Sequence, residues 1–278
     1  MLSYRHSFHA GNFADVLKHI VLVEILQHLQ RKVGAIDHID THAGAGLFDL
    51  RSEHAQKLAE YRNGIARLDP ADWPELATYL SIVASFNPGG TLHAYPGSPM
   101  IARRLMRPQD RASLFELHPT DCALLEQHMQ GDRRIRVMRE DGLPGLLRLL
   151  PPRSRRALVL IDPSYELKAE YEQVVATLKQ AYKKFATGTY ALWYPVVDRN
   201  RVNDLIQQIQ NSGIRNIQRF ELAIAADSAA RGMTASGMVV INPPWTLLQT
   251  LAKLLPRLVQ VLGRDDGAFF RADVLVNE

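Results

Sequence analysis

Residues 157–165 read Ala-Leu-Val-Leu-Ile-Asp-Pro-Ser-Tyr. Five consecutive apolar residues, Ala157 to Ile161, fit a central parallel strand buried on both faces. Asp162 stands just past its C-terminal end, where open α/β sheets hold their ligands. A carboxylate, a rigid proline and an aromatic ring suit the clamping of a planar amine. Asp162 and a backbone carbonyl accept the two amino hydrogens while Tyr165 stacks on the base. An Asx-type turn leading into a surface helix fits the same four letters.

On either side of this stretch, strands and helices alternate. Asn12 is placed to cap a helix over about 13 to 30, with Asp15 as its capping-box partner. Ala35 to Ile39 reads as a short strand running into the small-residue loop Asp40 to Gly46, with a helix expected next. Residues 50–94 break the alternation and read as a small helical insertion within a single domain, 1–278. Strands at Ala112 to Leu117 and Ile135 to Arg139 flank a helix from Pro119 to Met129, and a short helix runs to Leu150. Beyond the central strand come helix Ala169 to Lys184, strand Thr187 to Tyr194, helix Arg201 to Asn211 and strand Ile217 to Ala225. Ala235 to Ile241 is a last strand, antiparallel to its predecessor, before a helix from Thr246 to Leu262. The pattern predicts a three-layer α/β/α fold with a mostly parallel sheet.

Composition narrows the function classes. The 278 residues are 46% apolar and 22% charged, enough for a large core, and 33 basic against 29 acidic residues give a net charge of +4, compatible with a polyanionic partner. Cys122 is the single cysteine, which excludes an intrachain disulfide and an all-cysteine metal site. Lys18, Glu24 and Arg31 interrupt the longest apolar run, so no membrane span is expected. The charged start is unlike a signal peptide, and a cytoplasmic protein is expected.

The loop Asp40 to Gly46 has the small residues that let a backbone approach a ligand, but it lacks both the Gly-x-x-x-x-Gly-Lys and the Gly-x-Gly-x-x-Gly patterns. Glu116 and Asp141 end the next strands, at the same sheet edge as Asp40 and Asp162. They suit ribose hydroxyls and an adenine amine, although capping of the following helices would also use them. His38, Asp40 and His42 alternate as a metal site would require. The cluster has no cysteine or third close histidine, and no metal is expected. His42 reads as a cofactor contact. Tyr4, Arg5, His6, His9 and Lys18 crowd the N-terminus with groups able to stack on a base and hold phosphate. Arg103, Arg104, Arg107, Arg133, Arg134, Arg136, Arg153, Arg155 and Arg156 are candidates for an RNA-facing patch. A second amine-clamp spelling, Asn242-Pro243-Pro244-Trp245, follows the last expected strand and reads as a rigid turn with Trp245 as a packed anchor.

Together these motifs resemble the bacterial 23S ribosomal RNA adenine-N6 methyltransferase family. The resemblance runs through Tyr4-Arg5-His6, His9-Ala10-Gly11-Asn12, Asp15-Val16-Leu17-Lys18-His19 and Asp40-Thr41-His42-Ala43-Gly44. It continues through Tyr95-Pro96-Gly97-Ser98-Pro99, Glu116-Leu117-His118-Pro119, Asp141-Gly142 and Asn242-Pro243-Pro244-Trp245, nearly the whole chain. The resemblance implies a Rossmann-like fold that binds S-adenosyl-L-methionine, methylates one adenine of 23S rRNA before the large subunit is fully assembled, and acts as a monomer. It implies a cofactor set of Lys18, His19, His42, Ser98, Glu116, Asp141, Gly142 and Asp162, with Asp162, Pro163 and Tyr165 catalytic and Tyr4, Arg5, His6, Lys18 and Tyr165 meeting the RNA. The family's Asp-Pro-Pro-Tyr box has Ser164 in place of its second proline here. DNA adenine methylation and non-catalytic rRNA binding are the alternative readings.

Overall fold

The computed structural model describes residues 5–227 and 232–278. Helix α1 (Phe13–Gln30) begins at the expected cap: Asn12 Oδ1 accepts from the amides of Ala14 and Asp15 at 2.9 and 3.0 Å. Asp15 departs from the capping-box expectation. Its Oδ2 accepts from the Gly11 amide, because the Asn12 amide is already bonded to the His9 carbonyl.

Strand β1 (Asp37–Asp40) comes next, but no helix stands directly after its loop. Instead strand β2 (Leu47–Asp49) pairs antiparallel with β3 (Ala94–Pro96), and between them lie α2 (Glu53–Leu58), three short 3-10 turns and α3 (Ala77–Ser85). The expected helix arrives only as α4 (Ser98–Leu105). The small strand pair brings the chain back beside its point of departure, so the helical stretch leaves the α/β order intact.

Strand β4 (Arg111–Phe115), α5 (Pro119–Met129), β5 (Ile135–Met138), α6 (Gly142–Leu149) and β6 (Ala157–Ile161) continue that order. Then come α7 (Ala169–Lys184), β7 (Thr189–Val196), α8 (Arg199–Gln210), β8 (Ile217–Ala223), β9 (Ala235–Ile241) and α9 (Leu247–Leu262). Strand β10 (Phe269–Val276) corrects the expectation that β9 is the last: it adds antiparallel to β8 at the sheet edge. Its half-exposed residues, interrupted by Arg271 and Asp273, carry no clean period-two signal.

The eight-stranded sheet has the order β10-β8-β9-β7-β6-β1-β4-β5. The run from β5 to β7 is parallel, and β9 lies antiparallel between β7 and β8. From β1 the chain builds outward through β4 and β5, then returns to place β6 on the other side of β1. This reversal opens a crevice above the C-terminal ends of β1 and β6. All five residues of β6 are buried. Leu158 and Leu160 pack in the core with α1, α3, α4 and α9, while Ala157, Val159 and Ile161 pack with α6, α7 and α8. Each fully buried branched side chain contributes roughly 1.5–3 kcal/mol, so β6 is a rigid mount for Asp162 at its end.

Candidate active site

Asp40 closes β1 and Asp162 stands just past β6, one on each side of the crevice. A cleft of about 820 Å³ runs along this edge, lined by His42, Ser98, Glu116, Asp141, Asp162 and Tyr165 among others, with Lys18 and His19 of α1 along one wall. All four acidic strand ends therefore gather at one edge, as the alternation predicts. Asp40 lies beneath the floor, 0% exposed, where its Oδ2 accepts from Ser98 Oγ at 2.6 Å. Burial, with the nearby Asp162 charge adding to it, raises the Asp40 pKa to about 7 despite the Ser98 hydrogen bond.

Helix α1 is buried along Phe13–Val23, including the polar residues Asp15, Lys18 and His19. Lys18 Nζ lies 2.9 Å from Asp15 Oδ1 and 2.5 Å from Asp162 Oδ2. Burial disfavours this ammonium, yet Asp15 and Asp162 outweigh it and hold the pKa above the ordinary lysine value. Burial likewise opposes the Asp15 carboxylate, but His6 and Lys18 hold its pKa well below the usual range. His6 Nε2 sits 2.9 Å from Asp15 Oδ2, and its ring meets Phe48 edge-on at 5.1 Å. An Asp-x-x-Lys spacing in the largely apolar first half of the helix is the signal that could have identified Asp15 as part of the site, since the two residues share one face.

Around the rest of the cleft, His42 Nδ1 lies 2.8 Å from Thr41 Oγ1, and burial lowers its pKa to about 4. Glu116 accepts from the amides of Gly44 and His118 at 2.8 and 2.6 Å, and burial raises its pKa. Asp141 caps α6 by accepting from Leu143 N at 2.9 Å. Both carboxylates thus do structural work and still line the cleft with lone pairs to spare. Gly142 packs against the first loop so tightly that a Cβ there would come within 2.0 Å of the Thr41 carbonyl oxygen. Pro163, Ser164 and Tyr165 line the cleft beyond Asp162. Tyr165 adopts φ +54°, donates to the Trp193 carbonyl at 2.8 Å and packs on Tyr171 at 4.4 Å between ring centres. Trp193 and Tyr171, unnoticed in the sequence, fix the orientation of that ring.

Other expectations change. Tyr4 lies outside the described residues. Arg5 pairs with Asp121 at 3.2 Å. Lys18 is 5% exposed and held by two carboxylates, so it is not a solvated phosphate clamp. The arginine patch also dissolves in part. Arg103 and Arg134 pair with Asp132, Arg107 pairs with Asp110 and bonds to the Gln30, Lys32 and Gly34 carbonyls, Arg156 bonds to those of Leu29 and Gly34, and Arg104 lies over the Phe86 ring. Arg133, Arg136, Arg153 and Arg155 remain exposed. His38 is buried with its Nε2 4.0 Å from Asp40 Oδ2, and among the described residues no group of three or more His, Cys, Asp or Glu is arranged to hold a metal.

The second amine-clamp spelling is excluded from the cleft by strand direction. Because β9 is antiparallel to β7, with Ile241 opposite Tyr190, Asn242 emerges at the edge of the sheet opposite to Asp162. Its side-chain amide donates to the Ala186 and Gly188 carbonyls at 2.7 and 2.8 Å. Trp245 is not the packed anchor expected: it is 77% exposed and touches the structure edge-on to His28.

A family model described as Ribosomal RNA large subunit methyltransferase D, RlmJ, matches residues 34–274. The chain is 54% identical to Ribosomal RNA large subunit methyltransferase J of Escherichia coli (strain K12) over 260 residues, 93% of each protein. It is 50% identical to the protein of the same name from Haemophilus influenzae over 265 residues, 94% of each. A crystal structure of a Legionella pneumophila protein superimposes with a TM-score of 0.87 at 34% identity, covering 96% of this chain and 98% of that one. No helix among the described residues is long and apolar enough to cross a membrane.

Proposed function

The chain belongs to the Ribosomal RNA large subunit methyltransferase D, RlmJ family, and we propose that its cleft transfers a methyl group from S-adenosyl-L-methionine to N6 of one adenine in 23S rRNA. The observation that carries this reading is the place of Asp162: it stands just past the fully buried strand β6, at the sheet's reversal, with one carboxylate oxygen already engaged.

The cleft fits the methyl donor by its chemistry. Glu116 and Asp141 are acceptors for ribose hydroxyls and the adenine amine, and Ser98, His42 and Gly142 bring small or polar groups close to the backbone of the first loop. His19 adds a buried ring whose Nε2 has no hydrogen-bond partner among the described residues. When bound, the cofactor supplies an electrophilic methyl carbon on a sulfonium.

The chain's own work is orientation. Lys18 holds Asp162 Oδ2, and Oδ1 accepts no hydrogen bond from any described residue. Oδ1 and the Pro163 carbonyl accept the two N6 hydrogens of an unpaired adenine, whose ring lies against Tyr165. This turns the nitrogen lone pair toward the methyl carbon. Asp162 is held in place by its ion pair with Lys18. It orients the neutral amine, and as the N–C bond forms and the donor's S–C bond breaks to release a neutral thioether, the N6 proton would pass to Oδ1. Tyr4, Arg5 and His6 act on the RNA side, and the enzyme works as a monomer in the cytoplasm on rRNA not yet fully assembled. The residues between β2 and β3, within 50–94, form an inserted helical subdomain of the single domain.

The test is transfer of a labelled methyl group to purified 23S rRNA, with nucleoside analysis of the product. N6-methyladenosine in the rRNA, absent with Asp162→Asn, is the expected result. Full transfer by Asp162→Asn, or preferential methylation of duplex DNA, overturns the reading.

A further inference from the structure

His19 is 1% exposed on α1 and lines the cleft. Its Nδ1 lies 2.7 Å from the Tyr95 hydroxyl, which lies 2.9 Å from the Tyr79 hydroxyl. Tyr95 comes from β3 and Tyr79 from α3, and both are fully buried. Among the described residues neither hydroxyl has another hydrogen-bond partner, and His19 Nε2 has none at all. Burial lowers the His19 pKa to about 3, so the ring is neutral and carries one proton.

Three proton arrangements fit these distances. In the first, Tyr79 donates to Tyr95, Tyr95 donates to His19 Nδ1, and the ring proton sits on Nε2. Only the Nε2–H then lacks a partner. In the second, Nδ1–H donates to Tyr95 and Tyr95 to Tyr79, which strands both the Tyr79 hydrogen and the Nε2 lone pair. In the third, Tyr95 accepts from both neighbours and strands its own hydrogen as well as Nε2. Stranded buried polar groups are costly, so the arrangement with one prevails over those with two.

We propose that Tyr95, with Tyr79 behind it, holds His19 as the Nε2-protonated tautomer, whose N–H is the donor for the carboxylate at the amino-acid end of the methyl donor. This rests on the proposed function of the cleft. Glu116 and Asp141 suit the hydroxyls and the amine of the nucleoside, which leaves the carboxylate for the α1 wall, where His19 Nε2 is unpaired. His19 touches the cofactor; Tyr95 is a positioning residue acting through it.

The tautomer is read directly by long-range proton–nitrogen NMR on ligand-free protein carrying nitrogen-15 histidine, with the His19 signals assigned by their loss in His19→Gln. A proton on Nε2 is expected, and a proton on Nδ1 overturns the proposal. Tyr79→Phe keeps the same tautomer, because Tyr95 can then donate only to Nδ1. Tyr95→Phe releases the ring into a mixture and weakens S-adenosylhomocysteine about tenfold by calorimetry, while leaving the decarboxylated analogue unchanged. Equal losses for the two ligands, or the same selective loss in Tyr79→Phe, overturn the proposal. A parent protein that binds neither ligand overturns the proposed function of the cleft, and the NMR result on the free protein still decides the tautomer.

Discussion

Lys18 Nζ lies 2.5 Å from Oδ2 of Asp162, a residue 144 positions away in the chain, and 2.9 Å from Oδ1 of Asp15 one helical turn before it. One buried cation therefore neutralises part of two carboxylates, Asp15 buried and Asp162 partly exposed at the cleft, and the first long helix is tied to the end of the central strand.

Removing that cation takes from Asp162 its ion-pair partner and leaves Asp15, among the described residues, with His6 alone as ion-pair partner. Lys18→Met is expected to cost about 3–5 kcal/mol of folding stability, read as a lower urea midpoint with an unchanged slope. Asp162→Asn is expected to cost far less, because Lys18 keeps Asp15. A Lys18→Met protein as stable as its parent would show that the triad contributes nothing to the fold.

Asp40 predicts a pH dependence. Its folded pKa of about 7 lies above the ordinary aspartate value, so its contribution is fully present below the unfolded value and is lost as pH rises through about 7. Between about pH 5 and pH 8 the loss is on the order of 3 kcal/mol. Asp40→Asn removes this loss, so thermal melts should show the variant gaining on the parent across that window. The buried histidines are common to both proteins and cancel in the difference. Parallel pH profiles would refute a raised Asp40 pKa.

The second amine-clamp spelling separates stability from chemistry. Asn242 sits at φ +51° and its side chain makes two hydrogen bonds that hold the turn. Asn242→Ala should destabilise the protein by about 1–3 kcal/mol and leave methyl transfer per folded molecule unchanged. Asp162→Asn should do the reverse. A loss of transfer in folded Asn242→Ala would contradict its place on the opposite sheet edge.

Gly142 is where helix α6 meets the first loop. A Cβ would collide with the Thr41 carbonyl, which is backbone and cannot swing aside. Gly142→Ala should push the loop carrying His42 out of place, with at least a tenfold loss of S-adenosylhomocysteine affinity and about 1–3 kcal/mol of stability. Unchanged affinity would mean that the loop does not shape the binding site.

Much of this protein was legible in its sequence, because the signals were local. The apolar run Ala157–Ile161, the Asn12 cap and the proline at the start of α5 each act within a few residues, and β6, α5 and α7 appear where the letters place them. The edge strand β10 escaped because a half-exposed strand has no strong period. The small strand pair that closes the 50–94 insertion escaped because it depends on Leu47 meeting Pro96. Only the tertiary structure chose between the two clamp spellings, through the direction of β9, and only it turned Lys18 and several arginines inward to specific carboxylates and carbonyls. Periodicity and capping are set by neighbours along the chain; a charge pair across 144 residues is set by how helix and sheet pack, which no local pattern encodes.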